Sequence, residues 1–312
     1  MLLISQFQIH AQQAIVKAKK LIDANKNQEA INVLYENDFL ASKPMYNQLM
    51  GLGYKKLNDV TKAVYYLNKC IKQDSRNAVC YYLLGSTYID KLNKIENFIS
   101  KGSAALKAKK NLLKAVEINP SHINARVLLS NFYMNSPVIV GGSTKNAKIQ
   151  ANEIVKYDAV MGTNLLATIA LKNKDYNSAE NYYLKVLELD AKNQRIRYSL
   201  SSLYYEAKNY QNAFKFAEAS IKQFPKFLQG YYQYAKIAST TKQNIELAIY
   251  YIQYFINNAD ENSFPKAHWA YYRLGLLEHL RGNKEDAKKA INSALKLKPS
   301  FSQAEDLLIE VN

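Results

Sequence analysis

Glycine and proline are scarce in this chain of 312 residues, at 10 and 6. An all-β fold needs turn residues at short, regular intervals, so their scarcity favours helix. Cysteine is scarcer still. Cys70 and Cys80 are the only two, with no CxxC, and the four histidines (His10, His122, His268 and His279) form no HxH or HExxH. Zinc spacing is therefore absent and no cofactor is implied. No Ser/His/Asp or Cys/His set is suggested by spacing, and the carboxylates are scattered singly, so an enzyme is not expected. No apolar stretch approaches the length of a membrane span. The opening MLLISQFQIHAQQAIVKAKK has no basic region before its four-residue apolar run and does not read as a signal peptide. These absences describe a soluble protein: cytoplasmic on this chain alone, periplasmic if a signal peptide lies upstream of Met1.

What is present is apolar and basic. Hydrophobic residues make up 48%, which excludes a mainly disordered chain. The formal net charge is +16, from 42 basic and 26 acidic residues. Such an excess suits an acidic partner, whether nucleic acid, anionic lipid or acidic protein. The lysines are dispersed, however, as in Lys17–Lys19–Lys20, Lys55–Lys56, Lys107–Lys109–Lys110 and Lys288–Lys289, and heavy use of Lys, Asn, Ile and Tyr points to composition bias. Solvated helix faces are the favoured reading of this charge. The close cysteines would pair in an oxidising compartment, but two reduced, buried small residues are the favoured expectation. Cys70 occupies a position where other stretches carry small or apolar residues.

The ordering principle is a repeat, clearest in AHWAYYRLGLLEHLRGNKEDAKKAINSALKLKP, residues 267–299. Tyr271, Leu274 and Gly275 fall in a first helix, and Ala287, Ile291 and Ala294 in a second. Small residues let the helices approach, large ones fill the space between them, and Pro299 stops the second helix. The pattern returns upstream. Gly51, Tyr54, Ala63, Leu67 and Cys70 form one unit; Tyr81, Leu84, Gly85 and Tyr88, closing at Ala108, Leu112, Ala115 and Pro120, form the next. Leu129, Ser130, Tyr133, Ala147 and Ala151 follow, then Ala167, Ala179, Tyr183 and Val186, then Leu200, Ser201, Tyr204, Ala213 and Pro225, then Tyr231, Ala235 and Ala248. Asn58–Asp59, Lys174–Asp175, Lys208–Asn209 and Gly282–Asn283 fall at the turns, where Gly or Asn ends one helix and Asp or Asn caps the next. Ser302–Gln303–Ala304–Glu305 has the form of a capping box before a terminal helix.

With a period near 34 residues, the chain resembles tetratricopeptide-repeat proteins. The resemblance implies an all-α, right-handed superhelical solenoid of helix–turn–helix repeats. Its organisation would be a degenerate helical pair as a cap over 1–43 (Ala14, Ala18, Ala30, Leu34), about seven repeats over 44–301, and a capping helix over 302–312. The period breaks near 91–107 and 135–143. Gly85 to Pro120 spans 35 residues where Gly275 to Pro299 spans 24; the extra residues should lengthen the helices, with Gly102 as a candidate break. The second insertion, Asn135–Ser143, is similar to that of a bacterial subgroup with a Ser/Ala-Pro…Gly-Gly…Lys-Ala signature, many of whose members are exported.

The resemblance also implies a function: a non-enzymatic scaffold for a protein or peptide, held on the concave face lined by first helices. Carried over, that face comprises Tyr82, Asn131, Asn164, Arg195, Tyr198, Tyr205, Tyr232, Lys236, Trp269, Tyr272, Arg273 and His279. Tyr, Trp and Arg are the types enriched at binding hot spots, and 25 Tyr against 11 Phe suits rings with one edge in water. The carboxylate clamp of chaperone-binding relatives is missing, because Gln48 and Leu52 stand at its first positions. Gly141–Gly142–Ser143–Thr144–Lys145 invites comparison with a phosphate loop, but GxxxxGK[ST] spacing is absent. Ser143 or Thr144 as a helix cap is the better reading, and Pro137, Gly141, Gly142 and Ser143 are retained as a contact loop. The alternative function is binding of RNA or an anionic surface through the basic helix faces.

Overall fold

The computed structural model describes residues 2–92 and 94–312, and side chains from residue 12 onward; His10 lies outside these. Among the described residues there are seventeen α-helices and no strand. The chain divides into two compact units, Met1–Ile169 and Ala170–Asn312.

The first unit begins with α1 (Leu2–Asp23) and α2 (Asn27–Tyr35). Three pairs follow: α3 (Pro44–Lys56) with α4 (Val60–Gln73), α5 (Ala78–Leu92) with α6 (Phe98–Ile118), and α7 (Ile123–Asn135) with α8 (Thr144–Val155). Each helix packs on its pair partner. Ala18, Ile22, Ala30, Leu34 and Met50 are buried in one cluster that joins the opening pair to α3. In α3 and α5 the small position is a glycine because the partner helix lies against it. A Cβ on Gly51 would fall 2.6 Å from Leu67 Cγ, and one on Gly85 2.7 Å from Leu112 Cγ. At Ser130 of α7 the same position carries a hydroxyl, which donates to the Ala147 carbonyl at 3.0 Å. α9 (Ala159–Lys172) runs across the division between units.

In the second unit, α10 (Tyr176–Leu189) precedes α11 (Gln194–Glu206) with α12 (Tyr210–Gln223), α13 (Gln229–Thr241) with α14 (Ile245–Asn258), α15 (Ala267–Arg281) with α16 (Lys284–Leu297), and the terminal α17 (Ser302–Val311). Ser201 donates to the Ala213 carbonyl at 2.7 Å, as Ser130 does to Ala147. The turns follow one recipe. Asn58, Lys174, Lys208 and Gly282 have positive φ, and the next residue (Asp59, Asp175, Asn209 or Asn283) accepts from the backbone N–H three residues on. α17 buries Ala304, Leu307 and Val311 against Ala287, Ile291 and Ala294, with Phe301 at the centre.

Three expectations change. Cys70 and Cys80 form a disulfide, Cα atoms 6.4 Å apart, rather than two reduced thiols. They meet because Cys70 lies in the last turn of α4 and Cys80 in the first turn of α5, and the two helices pack together. Ser302–Glu305 is not a capping box: Phe301 is the N-cap of α17, no side chain caps it, and Ser302 lies within the first turn. Gly102 does not break α6, which runs unbroken for 21 residues against 14 in α4.

Candidate binding surfaces

In the second unit, α11, α13 and α15 are first helices and lie side by side. Most of the candidate residues there are joined into one strip. Tyr205 shares a 3.0 Å hydrogen bond with Thr240, and the Lys236 ammonium stands 4.2 Å over its ring and 3.9 Å from Glu206. Arg273 donates to Ser239 at 2.7 Å and stacks 5.6 Å from the ring centre of Tyr272. Burial raises the pKa of Tyr232, and the neighbouring Arg273 guanidinium partly opposes it. Tyr198 is likewise raised by burial and sits edge-on to Phe227 at 6.4 Å. Arg273 Nε is buried, and the guanidinium stands within hydrogen-bonding reach of Tyr232. Chemically this is a row of aromatic faces and two cations, suited to carbonyl or carboxylate acceptors.

Trp269 adjoins the strip, edge-on to Tyr272 at 6.1 Å; the other candidates sit apart from it. Trp269 packs edge-on against Phe301 at 4.7 Å, within the contacts of the terminal helix. His279 Nε2 lies 3.5 Å from a Glu310 carboxylate on α17. Arg195 is exposed at the start of α11. In the first unit, Tyr82 lies against His122, centroids 4.8 Å apart, and Asn164 is half-buried. Asn131 lines an apolar hollow between the two insertions. Sequence reasoning missed Ser239 and Thr240, although each lies one helical turn from Lys236 or nearer.

The Gly141–Gly142 loop is a folded turn whose amides are all engaged. Gly141, Gly142 and Ser143 N–H groups donate to Val138, Pro137 and Tyr133 carbonyls at 2.8, 3.0 and 2.8 Å. None of these three is left for a phosphate, and Ser143 caps α8 by accepting from Asn146 N–H. Gly141 has φ +97°, and a Cβ on Gly142 would overlap the Ser136 carbonyl, so neither position admits a side chain without rearrangement. The exposed part of the loop is instead Pro137, Val138 and Ile139.

His122 is the N-cap of α7, its Nδ1 accepting from Ala125 N–H at 3.3 Å; burial lowers its pKa. His268 is lowered by burial too. Among the described residues no group of His, Cys, Asp and Glu is placed to hold a metal, and no helix is long and apolar enough to cross a membrane.

Models of the tetratricopeptide repeat match residues 164–226 and 270–301. Among solved structures the chain is similar to a tetratricopeptide repeat protein from Parabacteroides merdae (TM-score 0.57, 16% identity, covering 84% of this chain and 95% of that one). It is also similar to yeast Tom70 (TM-score 0.59, 16% identity, 94% and 66%) and to pilF of Pseudomonas aeruginosa (TM-score 0.53, 17% identity, 76% and 100%). A search of curated proteins finds no match. At these identities the likeness speaks for the fold. The chain is an all-α protein of the tetratricopeptide-repeat fold, with the repeat itself recognised over residues 164–226 and 270–301.

Proposed function

We propose that the chain is a non-enzymatic scaffold that binds a protein or peptide on the first-helix face of its second unit. The observation that carries this reading is the strip itself. Lys236 and Arg273 are held over tyrosine rings by neighbours on adjacent helices. Cations fixed beside aromatic faces favour carbonyl or carboxylate acceptors. The ligand is therefore an extended, acceptor-rich segment with acidic side chains, and the preorganised rings limit the entropy cost of holding it. Tyr205 and Lys236 are the residues we assign to direct contact, with Arg273 anchoring the ligand's acceptor. Capture from the native cell tests this. A Tyr205→Ser/Lys236→Glu variant that melts like wild type should lose the partner at least tenfold; retention at wild-type levels defeats the proposal.

The cysteines support a reading of the compartment. A buried bridge between the only two cysteines supports folding in an oxidising environment, in keeping with the exported subgroup that the Asn135–Ser143 insertion resembles. Alkylation and mass measurement on protein taken directly from cells should find both thiols blocked; two free thiols would place the chain in a reducing compartment.

A further inference from the structure

Two insertions interrupt the repeat, and in the first unit they meet. The lengthened α6 starts at Phe98, and its Gly102 faces Val140 of the second insertion, 3.9 Å from an idealised Cβ to Val140 Cγ1. Lys109 of α6 donates to the Val140 carbonyl at 3.4 Å. Both insertions join a first helix to its second, in adjacent repeats. Between them lies a hollow of about 720 Å³, lined by Ile89, Leu92, Leu128 and Phe132 with Lys101 at its side. Large apolar side chains stand out from the two insertions: Phe98 is 73% exposed, Ile99 82%, Val138 85% and Ile139 81%. Single exposed apolar residues need no explanation, but four of this size on two touching segments do.

Charge is concentrated in the same part of the chain. Residues 91–148 hold Lys91, Lys94, Lys101, Lys107, Lys109, Lys110, Lys114, Arg126, Lys145 and Lys148 against Glu96 and Glu117, a balance of ten basic to two acidic. That is +8 of the total +16 in 58 of 312 residues, so the positive charge is not evenly dispersed. Glu117 pairs with Lys114 at 2.6 Å, so the two cancel, and Arg126 is buried; Lys101 lines the hollow itself.

From this we infer that the two insertions form a membrane-docking surface, in which Phe98, Ile99, Val138 and Ile139 enter the interface of an anionic phospholipid bilayer and Lys101, with other lysines of the same segments, meets its headgroups. Charge complementarity favours the bilayer: an anionic interface satisfies exposed apolar side chains and the basic excess of the same segments together. Phe98 and Ile139 line the hollow, whereas Val138 and Ile99, the two most exposed of the four, lie outside its lining, where an interface rather than an inserted peptide would meet them. RNA would be gripped by aromatic stacking, and of these four side chains only Phe98 is aromatic. The inference is independent of the groove proposed above.

Co-sedimentation with extruded vesicles tests it. Wild type should pellet with phosphatidylcholine–phosphatidylglycerol vesicles at a 7:3 ratio and remain soluble with phosphatidylcholine alone. Val138→Ser/Ile139→Ser, at sites exposed enough to spare the fold, should weaken binding at least tenfold, and Lys101→Glu should weaken it several-fold. Tyr205→Ser/Lys236→Glu should bind vesicles like wild type, which separates this inference from the groove. Three outcomes overturn it. The first is no wild-type binding to the anionic vesicles. The second is binding lost with Lys101→Glu but unchanged by Val138→Ser/Ile139→Ser, since attraction would then be charge alone. The third is indifference to vesicles alongside binding of an acidic peptide or single-stranded RNA that depends on Phe98 and Ile139.

Discussion

A Cβ added at Gly275 would fall 2.7 Å from Ile291 Cγ1, with the Ala287 carbonyl at 3.3 Å. Gly51 and Gly85 present the same closeness to Leu67 and Leu112, so the repeat's small position is set by how near its two helices run. Gly275→Ala should destabilise the second unit by about 1–3 kcal/mol through overpacking, seen as a lower thermal midpoint with secondary structure retained. Lys208 is the reverse case. It turns the chain between α11 and α12 with φ 59°, a conformation that strains any residue with a Cβ by roughly 1–2 kcal/mol. Lys208→Gly relieves that strain and returns part of it as chain entropy, so stability should rise by about 0.5 kcal/mol; a fall would show that Lys208 makes a contact worth more than its strain. The small and large positions were legible in the sequence because each recurs at a fixed helical offset. Lys208 was legible as a turn but not as a left-handed residue, since only Gly and Asn announce that conformation.

Among the elements, the α4–α5 junction is held by the Cys70–Cys80 bridge, with both residues fully buried. Closing so short a loop removes unfolded-state entropy equivalent to about 3 kcal/mol. Cys70→Ala/Cys80→Ala, or reduction, should lower the midpoint of the first unit by several degrees and leave the second unit's transition in place in differential scanning calorimetry. An unchanged first transition would mean that the junction is held by packing alone. The pairing was not readable from sequence, because Cys70 also fits the repeat's small position and the ten-residue spacing does not say which way each side chain points. The meeting of the insertions was hidden for a similar reason. Phe98 and Val138 are 40 positions apart, and only the stacking of adjacent repeats brings their segments together. One signal was available: counting charge by window rather than by run separates residues 91–148 from the rest.

Over the whole molecule, tyrosine dominates the aromatic surface, and burial raises the pKa of many phenols. Tyr234 is pushed up to about 12, and Tyr133, Tyr198, Tyr204, Tyr231 and Tyr232 move in the same direction, burial being the largest cause for each. A phenol raised in the folded state is neutral there while its unfolded counterpart, with an ordinary value of 10.0, ionises. Their stabilising contribution is therefore intact below pH 10 and is lost as pH climbs toward 12. Thermal midpoints should be flat with respect to these phenols up to pH 10 and fall beyond it, with phenolate absorbance appearing together with unfolding; early phenolate absorbance in the folded protein would contradict the burial. The repeat fold was readable from the first helix pair onward. The strip proposed to bind was readable only as a list, because Tyr205, Lys236 and Arg273 become neighbours through helices 30 or more residues apart, and Ser239 and Thr240 carry no signature of their own.

The proposed role rests on a partner lying along α11, α13 and α15. Hydroxyl-radical footprinting of the complex with the captured partner tests that placement directly. Protection of Tyr205 and Tyr272, with no change at the exposed Tyr65 of α4 and Tyr250 of α14, is the predicted result. Protection of Tyr65 or Tyr250 with Tyr205 and Tyr272 unchanged would contradict it.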